Sequence, residues 1–206
     1  MAKLPKKTVE RISQYRRVLA KYQTLSEPFI FSHDLASLLH LNPVQVRRDL
    51  MLLGTSGNYR NGYKVTKLLQ SIDETLTIPK STQATIIGMG RLGESLLKHI
   101  GSSPVCPVMI NSTFDINPKK INTTIRGIPC YDMTRAPEII KEQKIKIAIL
   151  TLYTEDIQAI IDILIDAGIE GFINYMAGPI KIPKGIYLKE YDIRTTLEEM
   201  SYNIHN

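Results

Sequence analysis

The chain is predicted to be an α/β protein: a small winged helix-turn-helix domain followed by a Rossmann-like doubly wound parallel sheet. Three observations predict this. First, ATIIGMGRLGESLL (84–97) reads as strand, tight turn and helix around a G-x-G-x-x-G motif, Gly88, Gly90 and Gly93. Second, apolar runs and amphipathic helical patterns alternate after it, as parallel strands with crossover helices require. Third, charge is segregated: residues 1–80 hold 13 Lys/Arg and 6 Asp/Glu, a net +7, while residues 81–206 hold 13 and 14, a net −1. A basic first part on a near-neutral remainder suits a polyanion-binding module attached to something else.

Taken in order, Thr8–Gln23 is predicted as an amphipathic helix with Val9, Ile12, Tyr15, Leu19 and Tyr22 on one face. Its cations, among them Arg11, Arg16, Arg17 and Lys21, are expected in solvent or on DNA phosphate. Ser32 is expected to cap a short helix carrying Leu35, Ala36, Leu38 and Leu39. Asn42-Pro43 then starts a second helix to Leu53, since Asn caps well and Pro suits the first helical position. Val46, Leu50 and Leu53 share its inner face, and Gln45, Arg47, Arg48 and Asp49 lie around the rest. Two short helices joined by a tight turn, the second carrying Arg and Gln, fit a helix-turn-helix. Those side chains bond guanine and adenine edges in two places at once. In GTSGNYRNGYKV (54–65), Asn61-Gly62 suits a hairpin turn, with Arg60 and Lys64 on or beside it as a basic wing. Thr66–Thr77 closes the domain and Ile78–Ser81 is a linker.

In the second domain, strands are expected at Ala84–Ile87, Val108–Phe114, Ile145–Leu152, Gly171–Tyr175 and Ile186–Glu190. Arg126–Pro129 reads as a short edge strand or turn, with a short helix at Glu138–Glu142. Longer helices are expected at Arg91–Ile100, Thr154–Ala167 and Arg194–Asn203. In such a sheet, ligand chemistry gathers where strands end, at Gly88–Gly93, Asp115, Thr151–Tyr153 and Asn174–Ala177. The glycines would serve the turn, close approach to a pyrophosphate, and helix–strand packing. Asp115 would accept from adenosine ribose hydroxyls and favour NAD over NADP, with Lys119 and Lys120 just beyond softening that preference.

No apolar run reaches the length of roughly 18–20 residues that a membrane span needs, and the first residues lack a signal-peptide core, so a cytoplasmic protein is expected. Cys106 and Cys130 have neither C-x-x-C nor zinc spacing, so reduced thiols are expected, no metal site, and a thiol switch is the alternative. An oxidoreductase would need a substrate domain and an acid/base group near the nicotinamide. Little chain remains for the first, and His33, His40, His99 and His205 all lie away from the expected strand ends. No catalytic residue is therefore assigned, and a dinucleotide site joined to a DNA reader reads as a sensor. The alternatives are a small NAD-dependent oxidoreductase whose basic helices mediate assembly, or a repressor whose Rossmann domain is mainly a dimerisation scaffold.

Several segments in order give a further reading: ERISQYRRVL (10–19), QVRRDL (45–50), GTSGNYRNGY (54–63), IIGMGRLG (86–93), FDINPKK (114–120), AILT (148–151), AGIEGFIN (167–174) and YDIRTTLEEMSY (191–202). Along nearly its whole length the sequence resembles the Rex family of redox-sensing transcriptional repressors. The resemblance implies a homodimer of winged-helix (1–80) and Rossmann (81–192) domains, with a C-terminal helix (193–206) swapped onto the partner. It implies NAD(H) as ligand and a palindromic double-stranded operator that is released by NADH. It places Gln45, Arg47 and Arg48 on the base-reading helix and Arg60 and Lys64 on the wing, while Arg11 and Arg17 of the first helix are expected at DNA phosphate from their charge and position. The cofactor would meet Gly88, Met89, Gly90, Arg91, Leu92, Gly93, Asp115, Thr151, Leu152 and Asn174. Asp192 would start the swapped helix, and Leu197, Met200 and Ile204 would supply its apolar stripe. The chain departs from the family's usual pattern in the centre of the wing and at His99, Tyr153, Tyr175–Pro179 and Ile193, several of them at the nicotinamide end.

Overall fold

The computed structural model describes residues 4–24, 29–58, 60–76, 82–101, 108–176 and 178–205. The linker at 78–81, Tyr59, Cys106 and Ala177 lie outside the described residues. The chain divides into two compact units, Met1–Pro79 and Lys80–Asn206.

In the first unit, helix α1 (Lys6–Thr24) and helices α2 (Ser32–Leu38), α3 (Pro43–Leu52) and α4 (Val65–Leu76) surround one apolar core. Ile12, Tyr15 and Leu19 of α1 are fully buried, as their spacing predicts, but Val9 is exposed and Thr8 takes its place on the inner face. Val46, Leu50 and Leu53 bring the second helix of the pair against them. Asn42 caps α3, its Oδ1 accepting from the Val44 amide at 2.8 Å. Ser32 is not the cap expected of it: it is the first residue of α2, and the Phe31 amide ahead of it donates to Asp34 Oδ2 at 3.3 Å.

The wing also differs in register. Asn58 and Gly62 pair through both backbone hydrogen bonds, 2.8 and 2.7 Å, so Gly62 is a paired position rather than part of the turn. Gly62 has φ +72, and a Cβ there would lie 2.5 Å from the Ile30 carbonyl oxygen, so only glycine fits. Strand β2 (Tyr63–Lys64) then pairs antiparallel with β1 (Phe29–Ile30). Two residues carry too little alternation for β1 to have been legible in the sequence.

Among the described residues, the second unit forms a seven-stranded sheet. In chain order the strands are β3 (Thr82–Ile87), β4 (Val108–Asp115), β5 (Thr123–Ile125), β6 (Ile128–Asp132), β7 (Ile145–Leu150), β8 (Gly171–Asn174) and β9 (Tyr187–Glu190). Their order across the sheet is β5-β6-β4-β3-β7-β8-β9, and only β5 runs antiparallel to its neighbour. The reversal of winding falls at β3, between β4 and β7, where a doubly wound sheet opens its ligand crevice. Where a short edge strand or turn is expected at Arg126–Pro129, a hairpin, β5–β6, stands between β4 and the next helix; Arg126 and Gly127 turn it with φ +52 and +80, the left-handed pair that a two-residue hairpin loop needs. Between β8 and β9 no helix forms among the described residues.

Helices α6 (Ala136–Glu142) and α7 (Ile157–Ala167) cover one face through Ile139, Ile140, Ile161 and Leu164, against Ile87, Phe114, Leu150 and Phe172. Helix α5 (Arg91–Gly101) covers the other through Leu97, against Ala84, Ile86, Cys130 and Ile149. Ile86 and Ile87 thus serve opposite cores, as the two-residue period of a strand requires. Gly168 ends α7 at φ +113, with its own amide and that of Ile169 closing on Ile165 and Leu164. Helix α8 (Ile193–His205) ends the chain with every described side chain exposed.

Candidate functional site

Strand β3 delivers the Gly-rich turn to the C-terminal edge of the sheet, and the three glycines divide the work. Gly88 has φ +98, and a Cβ on it would lie 2.6 Å from the Leu152 nitrogen. A Cβ on Gly93 would lie 2.1 Å from the Gly88 carbonyl oxygen. Both glycines are therefore demanded by the fold. Gly90 is different: nothing lies within 4 Å of its Cβ position. The fold leaves that approach open, beside the first turn of α5, whose leading amides have no intrahelical acceptor and whose dipole end is positive. An anionic group such as a pyrophosphate fits there.

The turn is tied to its neighbours. Gly88 donates to the Phe114 carbonyl at 2.7 Å, and the Thr151 hydroxyl donates to the Gly88 carbonyl at 2.5 Å. Asp115, at the end of β4, is 6% exposed; Oδ2 accepts from the Met89 amide at 2.6 Å and Oδ1 from the Asn117 amide at 2.8 Å. Each oxygen keeps a lone pair, so the carboxylate can still accept from a ribose while it anchors the loop. Lys120, unassigned from the sequence beyond its charge, donates to the Met89 carbonyl and reaches Glu94 Oε1 at 2.8 Å.

The residues expected around a cofactor separate into two kinds. Arg91 and Leu92 are exposed at the start of α5, and Thr151 is half-buried at the end of β7. Met89, Leu152 and Asn174 are buried. Asn174 Oδ1 accepts from the Met176 amide at 2.9 Å, so these three shape the site rather than face it. Past them lies a cleft of about 300 Å³ lined by Thr151, Tyr153, Tyr175, Met176, Asp192 and Ile193, among others. Tyr175 stacks on Tyr191, ring centroids 5.1 Å apart. Tyr153, Tyr175, Met176 and Ile193, among the positions where the sequence departs from the Rex pattern, thus share one cleft. Asp192 caps α8, accepting from the Arg194 amide at 2.9 Å and from the Thr195 hydroxyl at 2.8 Å; these bonds hold its carboxyl below the usual range.

Cys130 is fully buried, and burial pushes its thiol up in pKa, which suits an inert core residue. Among the described residues no cluster of His, Cys, Asp or Glu could hold a metal ion, and no described helix is long and apolar enough to cross a membrane.

On the first unit, Arg17, Arg47, Arg48, Arg60 and Lys64 are exposed. Two other expected DNA contacts are not presented as free side chains. Arg11 is bound to Asp49, Nε to Oδ2 at 2.6 Å and Nη2 to Oδ1 at 2.9 Å. Gln45 Nε2 donates to the same Oδ1 at 2.9 Å, and the Tyr15 hydroxyl donates to Oδ2 at 2.7 Å. Asp49 is fully buried. Burial favours its neutral form, but the bonds from Arg11, Tyr15 and Gln45 outweigh this and hold its carboxyl below the usual range. Burial, then the bond to Asp49, pushes the Tyr15 hydroxyl up. Asp49, expected off the inner face, is thus buried beside Val46 and Leu50, its neighbours at i−3 and i+1, where an acid must find partners.

Comparison with known proteins agrees with both units. A family model described as "CoA binding domain" matches residues 79–178, and one described as "Putative DNA-binding protein N-terminus" matches residues 3–50. The redox-sensing transcriptional repressor Rex of Desulfitobacterium hafniense is 31% identical, over 98% of this chain and 96% of that protein. The crystal structure of RSP in complex with β-NAD+ and operator DNA superposes with a TM-score of 0.86 at 25% identity, over 99% of this chain and 94% of that one. RSP with β-NADH gives 0.82 at 25% identity, over 99% and 95%. These relatives are repressors by name rather than enzymes. The chain belongs to the Rex family of redox-sensing transcriptional repressors.

Proposed function

We propose that this protein is a DNA-binding repressor that senses the NADH/NAD+ balance, binding a palindromic operator and releasing it when NADH binds. The observation that carries the sensor half is the open approach at Gly90, flanked by two glycines that the fold itself requires. NAD(H) fits: the α5 N-terminus and Gly90 would receive the pyrophosphate, Asp115 the adenosine ribose, and the cleft at Thr151 and Tyr175 the nicotinamide end. When bound, the dinucleotide supplies a redox state to be read. The residues around it hold and orient it, with no acid/base group assigned. The solved relative RSP binds both β-NAD+ and β-NADH, which supports the same ligand here.

The DNA half rests on Arg47 and Arg48, exposed on α3, and on the exposed Arg17, Arg60 and Lys64, which would meet phosphate. The assembly is a homodimer. Ile193, Leu197, Met200 and Ile204 recur on one face of α8 and are 69, 59, 55 and 74% exposed, an apolar stripe with no cover in the single chain. Residues 193–206 thus serve as the dimerisation helix, after a winged-helix domain (1–80) and a dinucleotide domain (81–192), and the protein acts in the cytoplasm. A mobility shift on a palindromic duplex, titrated with NADH and NAD+, tests the whole reading. Release by NADH at concentrations where NAD+ has no effect is expected; retention at saturating NADH removes the sensor.

A further inference from the structure

Helix α3 presents Val44, Arg47, Arg48 and Met51 to solvent, at the spacing of a single helical face. Val44 is 56% exposed, so it contributes little to the core of the unit. Its backbone is fixed by the Asn42 cap at 2.8 Å, which sets its side-chain direction at the start of the helix. Gln45, the neighbour that could have read adenine, is bound to Asp49 through the amide nitrogen that such reading requires. The exposed face of α3 is therefore two arginines with an apolar residue at each end.

The N-terminal turn of a recognition helix is the part that reaches base edges. Met51 lies roughly 10 Å farther along the axis, on the turn leading away. A branched apolar side chain on the floor of a major groove has one matching feature among the four bases, the 5-methyl group of thymine. The flanking arginines have theirs in guanine. We propose that Val44 reads sequence, packing against the methyl group of a thymine beside the guanine bound by Arg47 or Arg48. Direct readout then combines thymine and guanine, and adenine recognition by Gln45 is absent. This rests on the DNA-reading function above.

The test uses the full-length protein with NAD+ present. A randomised duplex pool is selected for binding, and the enriched palindrome is remade with each thymine in turn replaced by deoxyuridine in both half-sites. One such replacement should weaken binding by about 15-fold, since each buried methyl contributes about four-fold and there are two. The same replacement should leave the affinity of Val44→Ala unchanged. Neutral replacement at every thymine, or an undiminished loss in Val44→Ala, overturns the inference. Arg47→Ala and Arg48→Ala separate the two levels. If they weaken binding while every thymine is neutral, only the role of Val44 is wrong. If no duplex is enriched and neither arginine matters, the DNA reading falls with it.

Discussion

Replacing Gly90 by valine separates the ligand's demands on the Gly-rich turn from those of the fold. Nothing stands within 4 Å of the new Cβ, and Gly90 is not among the left-handed glycines, so the Cβ meets no clash and the backbone no strain. Stability should stay within about 0.5 kcal/mol of the native protein, the usual range for an uncommitted surface position. The cofactor sees a different site. The isopropyl group occupies the approach of the pyrophosphate to the α5 amides, where each charge-assisted hydrogen bond contributes about 1.5–3 kcal/mol. Losing two of them weakens binding by at least about 100-fold. Gly93→Ala is the counter-case: its Cβ would sit 2.1 Å from the Gly88 carbonyl oxygen, so the turn must break and stability falls by several times the Gly90→Val effect. Calorimetric titration with NADH, beside thermal unfolding, reads both quantities. Native NADH affinity in Gly90→Val would show that the phosphates do not lie where we place them, and an unfolding loss equal to that of Gly93→Ala would show that the fold needs Gly90 as well.

Other consequences follow from particular side chains. Asp49→Ala leaves the Arg11 guanidinium and the Tyr15 hydroxyl without their acceptor and should destabilise the first unit by about 3–5 kcal/mol, measured by urea unfolding and by amide exchange in α1 and α3. Because the folded pKa of Asp49 is depressed, its contribution is present above the unfolded value near 4 and is lost as pH falls through the folded value. Asp49→Asn should therefore flatten the acid limb of the stability profile; an unchanged limb would assign acid sensitivity elsewhere. Arg47→Ala and Arg48→Ala should each weaken operator binding by about 1–3 kcal/mol if each reads a base, whereas Lys64→Ala should chiefly reduce the salt dependence. Leu197→Asp places a charge in the exposed stripe of α8 and should convert the proposed dimer to monomer in sedimentation without loss of helix content.

Most of the fold was legible because its signals are local. The strand–turn–helix around Gly88 and the apolar run at Ile145–Leu150 follow from backbone constraint and side-chain period. So does the helix stop at Gly168, where φ is +113. The spacing of Gly88, Gly90 and Gly93 implies a separate task for each, but only the packed chain shows which two the fold needs. Strand β1 was not legible, because it is two residues long and acquires its partner across the unit. The hairpin β5–β6 was half legible: Arg126-Gly127 marks a turn, but the choice of a hairpin over a helix after β4 is made by the sheet.

The sequence by itself determined which chemistry this protein carries: a basic DNA-reading unit, a dinucleotide turn, an acid at the end of the second sheet strand, and an apolar stripe at the C-terminus. Those features depend on neighbours in the chain, where spacing is information enough. Tertiary structure decided how the polar side chains are used. Arg11 and Gln45 look like DNA contacts in the sequence, yet they close on Asp49, because a carboxylate buried at 0% exposure must be satisfied by whatever donors the packing brings to it. That choice leaves Arg47, Arg48 and Val44 on the open face of the recognition helix. Donor and acceptor lie 38 residues apart in the first of these pairs, a separation over which sequence period carries no information and only the packed core does.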